Sequence, residues 1–280
     1  MDLEWRIIGL EKRNPHLIAA LDESISKFVS ENKSDPTIIY HKWEPSVSIS
    51  RYQDADDINL EKCDQLGIKY VRTYAGGRAD IHFPDKDFSY SLFLPAKNSD
   101  FANSDRSTID IYNFYCKKMA DALKELGLPV RVVGNNDLYI GKKKLSGNGQ
   151  RIENNVIVQH GIIVYDLPNI NNMIEVMNKN LYNGTSVNDL NAIMTYIKEY
   201  KDVTMEEVTK TLTKHLINNK NFNSSFYYGD ISKDELDYAK KLVKEKYSNI
   251  NWEEKASEVR GLCWLPRGAP IGTYKGENPV

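Results

Sequence analysis

Short segments rich in β-branched and aromatic residues recur along the first two-thirds of the chain, and helical stretches fall among them without strand–helix–strand alternation. Residues 37–43 (TIIYHKW), 46–50 (SVSIS), 69–74 (KYVRTY) and 88–94 (FSYSLFL) are short, bounded and β-prone. Further strands are predicted near 129–133, 137–140 and 156–165, with a Lys- and Gly-rich turn at 141–149. A doubly wound parallel sheet needs regular βαβ units, so the pattern predicts an α+β fold: a mainly antiparallel sheet flanked by helices.

The helices announce themselves by period and by caps. Leu17, Leu21, Ile25 and Phe28 recur at helical spacing. Residues 108–126 carry Ile109, Tyr112, Cys116, Met119, Leu123 and Leu126 at three- and four-residue steps, with Gly127 where a terminating glycine belongs. Thr204–Glu207 and Ser232–Glu235 read as S/T-x-x-E capping boxes opening two later helices.

Composition excludes several classes. With 37 Lys and Arg against 39 Asp and Glu in 280 residues, the net charge is −2, which argues against a chain dominated by nucleic-acid backbone binding. No apolar run approaches the roughly 20 residues needed to cross a bilayer, and the first residues do not read as a secretory signal, so a cytoplasmic protein is expected. Cys63, Cys116 and Cys263 form no C-x-x-C pair; neither a disulfide framework nor a structural zinc site is expected. Residues 1–255 read as one domain and 256–280 as a C-terminal tail, a lid or a partner-docking segment.

Two segments carry candidate chemistry. Arg72-Thr-Tyr-Ala-Gly-Gly-Arg-Ala-Asp-Ile-His82 breaks a strand at two glycines bracketed by arginines. Paired glycines let backbone N–H groups approach an anion; an ordinary hairpin with solvated arginines is the plain alternative. Gly134-Asn-Asn-Asp-Leu-Tyr-Ile-Gly-Lys-Lys-Lys-Leu-Ser-Gly-Asn-Gly-Gln150, followed by His160-Gly161, holds a hairpin turn at Gly141-Lys142. Three lysines there also suit a solvated edge, and His160 a hydrogen-bonded core position.

Taken in this order, the two segments resemble the lipoate–protein ligase family of the biotin/lipoate ligase superfamily. The first family motif, R-R-x-x-G-G-G-A-V-x-H, aligns with Arg72, Gly76, Gly77, Ala79 and His82. The second, G-x-N-D-L-x-x-x-G-K-K-I-x-G-x-x-Q and then H-G, aligns with Gly134, Asn136, Asp137, Leu138, Gly141, Lys143, Lys144, Gly147, Gln150, His160 and Gly161. Thr73 replaces the second arginine, Arg78 the third glycine, and Asp80 an apolar residue; Gly-Gly-Arg is also a feature of the family's octanoyltransferase branch.

The resemblance implies an ATP-dependent lipoate–protein ligase. Lipoate would attack the α-phosphate of ATP to give lipoyl-AMP, and a lysine of a lipoyl carrier domain would then take the acyl group. Lys144 would be catalytic. Arg72, Gly76, Gly77, Arg78, Ala79, Asp80, Ile81, His82, Asn136, Asp137, Ser146, Gly147 and His160 would line the nucleotide and acyl site, with Mg2+ on Asp137. The eight-carbon acid would lie in an apolar tunnel, gaining about 0.8 kcal/mol per buried methylene. Expected carriers are the acyltransferase subunit of 2-oxoacid dehydrogenases and the glycine-cleavage H protein, with a separate accessory protein possible. The alternatives are an octanoyl or lipoyl transferase, a biotin ligase, and a non-catalytic binding member of the same fold. The transferase would need no ATP but would pass the acyl group through a cysteine; its family places that cysteine near Val133–Asn136, where this chain has none.

Overall fold

The computed structural model describes residues 2–51, 53, 55–101, 107–177, 187–250 and 252. The expected tail at 256–280 lies outside them. In chain order the strands are β1 (Asp2–Arg13), β2 (Thr37–Trp43), β3 (Ser46–Ile49), β4 (Lys69–Arg72), β5 (Asp80–His82), β6 (Asp87–Pro95), β7 (Val130–Val133), β8 (Asp137–Ile140), β9 (Lys143–Glu153), β10 (Val156–Val164) and β11 (Asn223–Tyr228). Eight of them form one sheet in the order β11-β1-β2-β6-β10-β9-β8-β7, and β4-β3-β5 form a second. The helices are α1 (Pro15–Ser30), α2 (Leu60–Leu66), α3 (Thr108–Glu125), α4 (Ile170–Val176), α5 (Val187–Ile193), α6 (Met205–Leu216) and α7 (Lys233–Leu242).

The α+β class and the mainly antiparallel sheet hold, since every neighbour pair from β2 to β7 in the large sheet is antiparallel. The expected lack of βαβ units does not. β1 and β2 are parallel and joined through α1, and β3 and β4 are parallel and joined through α2. The strand signal in β1 is the alternation of Leu3, Trp5 and Ile7 with Glu4 and Arg6, a period of two that places the apolar set on one face.

That face sets the layers. Leu3, Trp5 and Ile7 join Met119 and Leu123 of α3 and Val208 and Leu212 of α6 in one core. The opposite face, with Ile8, Ile39 and Phe93, packs on Leu21 and Ile25 of α1 and Ala239 of α7. A fully buried Leu or Ile contributes about 1.5–3 kcal/mol, which is why these stripes decide the fold. In α3 the buried stripe runs through Ile111, Tyr115, Cys116, Met119 and Leu123. The expected Cys116 lies on it, whereas Ile109 and Tyr112 are half-buried. Both expected capping boxes close, on α6 and on α7. Glu235 of the second box also takes a two-pronged ion pair from Arg6 of β1, at 2.8 and 2.6 Å, and is fully buried.

The small sheet has two unlike faces. Val47, Ile49 and Ile81 pack with Cys63 and Val176 in a third core. Ser46, Ser48, Asp80 and His82 alternate with them and belong to the other face. That polar face meets the end of β2 and the start of β6, where Trp43 stacks flat on His82 with ring centroids 3.9 Å apart.

Candidate functional site

β8 and β9 form a hairpin whose turn uses Gly141 at φ 58°, a left-handed conformation that favours glycine. A register shift between Leu138 and Tyr139 follows. Beyond it, Lys144 Nζ lies 2.9 Å from Asp137 Oδ1, with about one-third of the lysine side chain exposed. A Cβ on Gly147 would come within 3.1 Å of that Nζ, so the glycine leaves space for the ammonium. Burial lowers the Lys144 pKa, but the Asp137 and Asp80 carboxylates outweigh it and hold the amine above its ordinary value. Thr195 N–H donates to the Lys144 carbonyl at 2.9 Å and anchors the strand below the side chain.

The Gly76–Gly77 turn packs against the neighbouring pair of strands. A Cβ on Gly149 of β9 would sit 2.0 Å from the Gly76 carbonyl oxygen, a contact only glycine permits. His160 of β10 bonds that same carbonyl through Nε2 at 2.9 Å, and its Nδ1 is 3.7 Å from Asp22 of α1. Burial pushes the His160 pKa down, but Asp22 and the Gly76 carbonyl outweigh it and raise it. Asp80 is half-buried and its carboxyl is raised by desolvation, against the pull of His82, Lys144 and His160. The structure therefore gathers Gly76, Gly77, Asp80, Asp137, Lys144, Gly147 and His160 around one region.

Other expected site residues have different surroundings. Arg72 is 1% exposed, and its guanidinium donates to the carbonyls of Ile250, Ser50, Arg51 and Gln53. It clamps loops where a phosphate contact is expected. Asn136 donates to the Asn148 carbonyl at 2.7 Å and its own carbonyl receives the Asn148 amide at 2.8 Å, so it ties β8 to β9. Ser146 is buried beneath Asn148. Ile81 lies in the third core, Ala79 packs against it, and Arg78 is half-buried. Asp137 is engaged by Lys144, and among the described residues no group of three His, Cys, Asp or Glu side chains gathers that could hold a metal ion by itself. A cleft of about 150 Å³ lies beside Lys143, Leu167, Ile170 and Met194. Lys144 is not among the residues that line it.

One grouping has no signature in the sequence. Ser48 Oγ is 3.0 Å from His82 Nε2, and His82 Nδ1 is 2.9 Å from Asp87 Oδ1. Asp87 Oδ2 accepts the Phe83 N–H at 2.8 Å. Only His82 was expected at the site; Ser48 and Asp87 come from separate strands, and the segment SVSIS gives no local signal. Both described cysteines are buried with no exposure. Burial pushes the Cys63 thiol up to about 11 and the Cys116 thiol up to about 12, so neither is a poised thiolate. Cys263 lies outside the described residues.

Comparison with known proteins agrees with the fold. Residues 14–217 match the family model described as the lipoyl protein ligase A/B catalytic domain. A curated relative from Brevibacillus brevis, octanoyltransferase LipM, is 26% identical over 89% of this chain and 98% of its own length. LipM of Bacillus subtilis is 24% identical over 90% and 98%. Among solved structures, one from a bipartite lipoate protein ligase of Thermoplasma acidophilum, studied with its E2 lipoyl domain, has a TM-score of 0.76 at 19% identity and covers 90% of this chain and 96% of its own. A lipoate-protein ligase A bound with ATP gives 0.73 at 20% identity, covering 90% and 98%. At those identities the structures show a shared fold. The expectation of an ATP-dependent lipoate–protein ligase is corrected by the curated relatives, which align along nearly their whole length and are octanoyltransferases.

Proposed function

The chain belongs to the lipoyl protein ligase A/B catalytic-domain family, and on that premise we propose that it transfers an octanoyl-type acyl group from a thioester donor to a lysine of a lipoyl carrier domain, without consuming ATP. The observation that carries the reading is the Lys144–Asp137 pair, a partly exposed ammonium held in the space that Gly147 leaves. Attack on a thioester carbonyl places negative charge on its oxygen. A fixed ammonium stabilises that charge more than it stabilises the neutral carbonyl, which is what accelerates the step. Asp137 orients the lysine and keeps it protonated. His160, held by Asp22 and the Gly76 carbonyl, fixes the turn that borders the acyl site.

The likeness to octanoyltransferases along nine-tenths of the chain supports the acyl group. The Thermoplasma ligase described with its E2 lipoyl domain supports the class of acceptor, with the acyltransferase subunit of 2-oxoacid dehydrogenases and the glycine-cleavage H protein as carriers to test. Free buried thiols at Cys63 and Cys116 suit the reducing cytoplasm. The test is incubation of the purified chain with octanoyl-loaded acyl carrier protein and a lipoyl domain, with and without ATP. The expected result is one octanoyl group gained by the lipoyl domain in both, read by intact mass. Transfer that occurs only with ATP, or none at all, rejects the reading.

A further inference from the structure

We propose that Ser48, His82 and Asp87 form a nucleophilic unit in which Ser48 carries the acyl group between donor and acceptor. The inference deepens the transferase reading and rests on it for the identity of the acyl group. A transferase working in two steps needs a nucleophile that forms a labile acyl bond. Cys63 and Cys116 are fully buried with raised thiols, and the segment 133–136 holds no cysteine.

The geometry meets two requirements for an activated serine: a base in reach of the hydroxyl and a carboxylate that fixes the base. His82 Nε2 is 3.0 Å from Ser48 Oγ. Asp87 Oδ1, 2.9 Å away, accepts the Nδ1–H and so leaves Nε2 as the acceptor for the serine proton. Asp87 is itself held by the Phe83 N–H, and the imidazole is held flat against Trp43 at 3.9 Å with planes 6° apart. Trp43 in turn donates to Ser89 at 2.8 Å. These contacts fix every member but the hydroxyl, the group that must move.

Asp80 joins the unit to the rest of the site. It stands directly opposite Ser48 in the β3–β5 register, so the two side chains share a face. Its carboxyl is acted on by the charges of both His82 and Lys144. Ser48 itself is 5% exposed, and Asp80 opposite is half-buried.

The chemistry balances. Ser48 Oγ attacks the thioester carbonyl carbon as its proton passes to His82 Nε2. The C–S bond breaks, the thiolate takes that proton and leaves as a thiol, and an ester remains on Ser48. A neutral carrier-lysine amine then attacks the ester carbonyl. The C–N bond forms, the C–O bond to Ser48 breaks, and one amine proton returns through His82 to Ser48 Oγ. The sum is thioester plus amine to amide plus thiol.

The test uses the full chain. An alkyl fluorophosphonate, which phosphonylates activated serines, is expected to add one group at Ser48, located by peptide mass mapping and absent from Ser48→Ala. With octanoyl-loaded acyl carrier protein alone, an octanoyl ester is expected on the same residue, and Ser48→Ala is expected to lose carrier acylation by roughly 10³-fold. Asp87→Asn is expected to lower kcat for carrier acylation while KM for the acyl donor stays near its wild-type value, because the imidazole loses the acceptor that fixes its Nδ1–H; a purely structural role would lower the folded fraction without splitting kcat from KM. Melting curves identify any variant that fails to fold, and the fluorophosphonate mapping on the wild-type chain does not depend on the variants. Labelling elsewhere or not at all, an acyl group found on Cys263, or a wild-type rate in folded Ser48→Ala overturns the proposal. Normal transfer by Ser48→Ala would leave the transferase reading standing; Ser48 labelling in a chain that acylates no carrier would leave the serine unit standing and remove the reading.

Discussion

Arg72 and Lys144 are both cations next to glycine-rich turns, yet their surroundings differ in kind. Arg72 ends β4 in the small sheet, 1% exposed, with four backbone carbonyls around its guanidinium. Lys144 lies in the large sheet, one-third exposed, with a single carboxylate at 2.9 Å. Carbonyl dipoles around the Nε and Nη1 groups of a buried guanidinium bind distant loops into one piece. A carboxylate on one side of an ammonium leaves its other protons free to meet charge that appears during a reaction. The difference separates a cation that holds the fold from one that can respond to a substrate.

Lys144→Ala should break the comparison from the catalytic side. Loss of a cation aimed at a developing oxyanion costs about 10²–10³ in rate, so octanoyl transfer should fall by that order while the melting temperature stays near that of the parent. A mutant retaining most of the transfer rate would remove Lys144 from the chemistry. Arg72→Ala should act in the opposite sense. Four carbonyls lose a charged donor in a buried site, and by the cost of unsatisfied buried groups the loss is about 3 kcal/mol of stability, read as a lower urea midpoint. An unchanged midpoint would show that the clamp carries no load.

Asp137→Asn sharpens the contrast by altering Lys144 without removing it. The carboxylate raises the Lys144 pKa. A raised lysine pKa contributes stability that is complete below the unfolded value near 10.4 and is lost as pH rises through the folded value. With the amide in place the folded pKa falls, so the alkaline limb of the transfer profile should move to lower pH; a limb that stays put would separate that limb from Lys144. The smallest effect is expected at the thiols. Cys116→Ser places a hydroxyl on the buried stripe of α3 and should cost about 1–3 kcal/mol while transfer by the folded fraction stays within about twofold. An octanoyl adduct on Cys116 or Cys63 in the parent chain would contradict their burial.

Much of the framework was legible because its signals are local. The stripe through Cys116, Met119 and Leu123 and the two capping boxes act within a few residues and take their expected form, while the turn expected over 141–149 is confined to Gly141–Lys142, with β9 running from Lys143. β1 went unread as a strand, although Leu3, Trp5 and Ile7 alternate with polar partners, and with it went the parallel β1–α1–β2 unit. In the site, the pairing of Asp137 with Lys144 follows from a hairpin that the sequence marks. The fate of Arg72 does not, because its partners Ser50, Gln53 and Ile250 are brought in by tertiary packing. Ser48 and Asp87 were invisible for the same reason: a hydroxyl in a β-prone run and a carboxylate opening a strand acquire meaning only when His82 falls between them. The ATP-dependent ligase reading failed because the two motifs are shared across branches of one fold.

The place of β11 has a consequence for how the molecule is made. Residues 2–7 take their outer partner from residues 223–228, and Arg6 is neutralised by Glu235. Until the last fifth of the chain has left the ribosome, β1 presents an unpaired strand edge and a cation destined for burial. Pairings of such sequence separation form late and slowly. A nascent chain stalled before residue 223 therefore exposes a sticky edge, and its completion on the ribosome is a race between synthesis and aggregation that β11 ends.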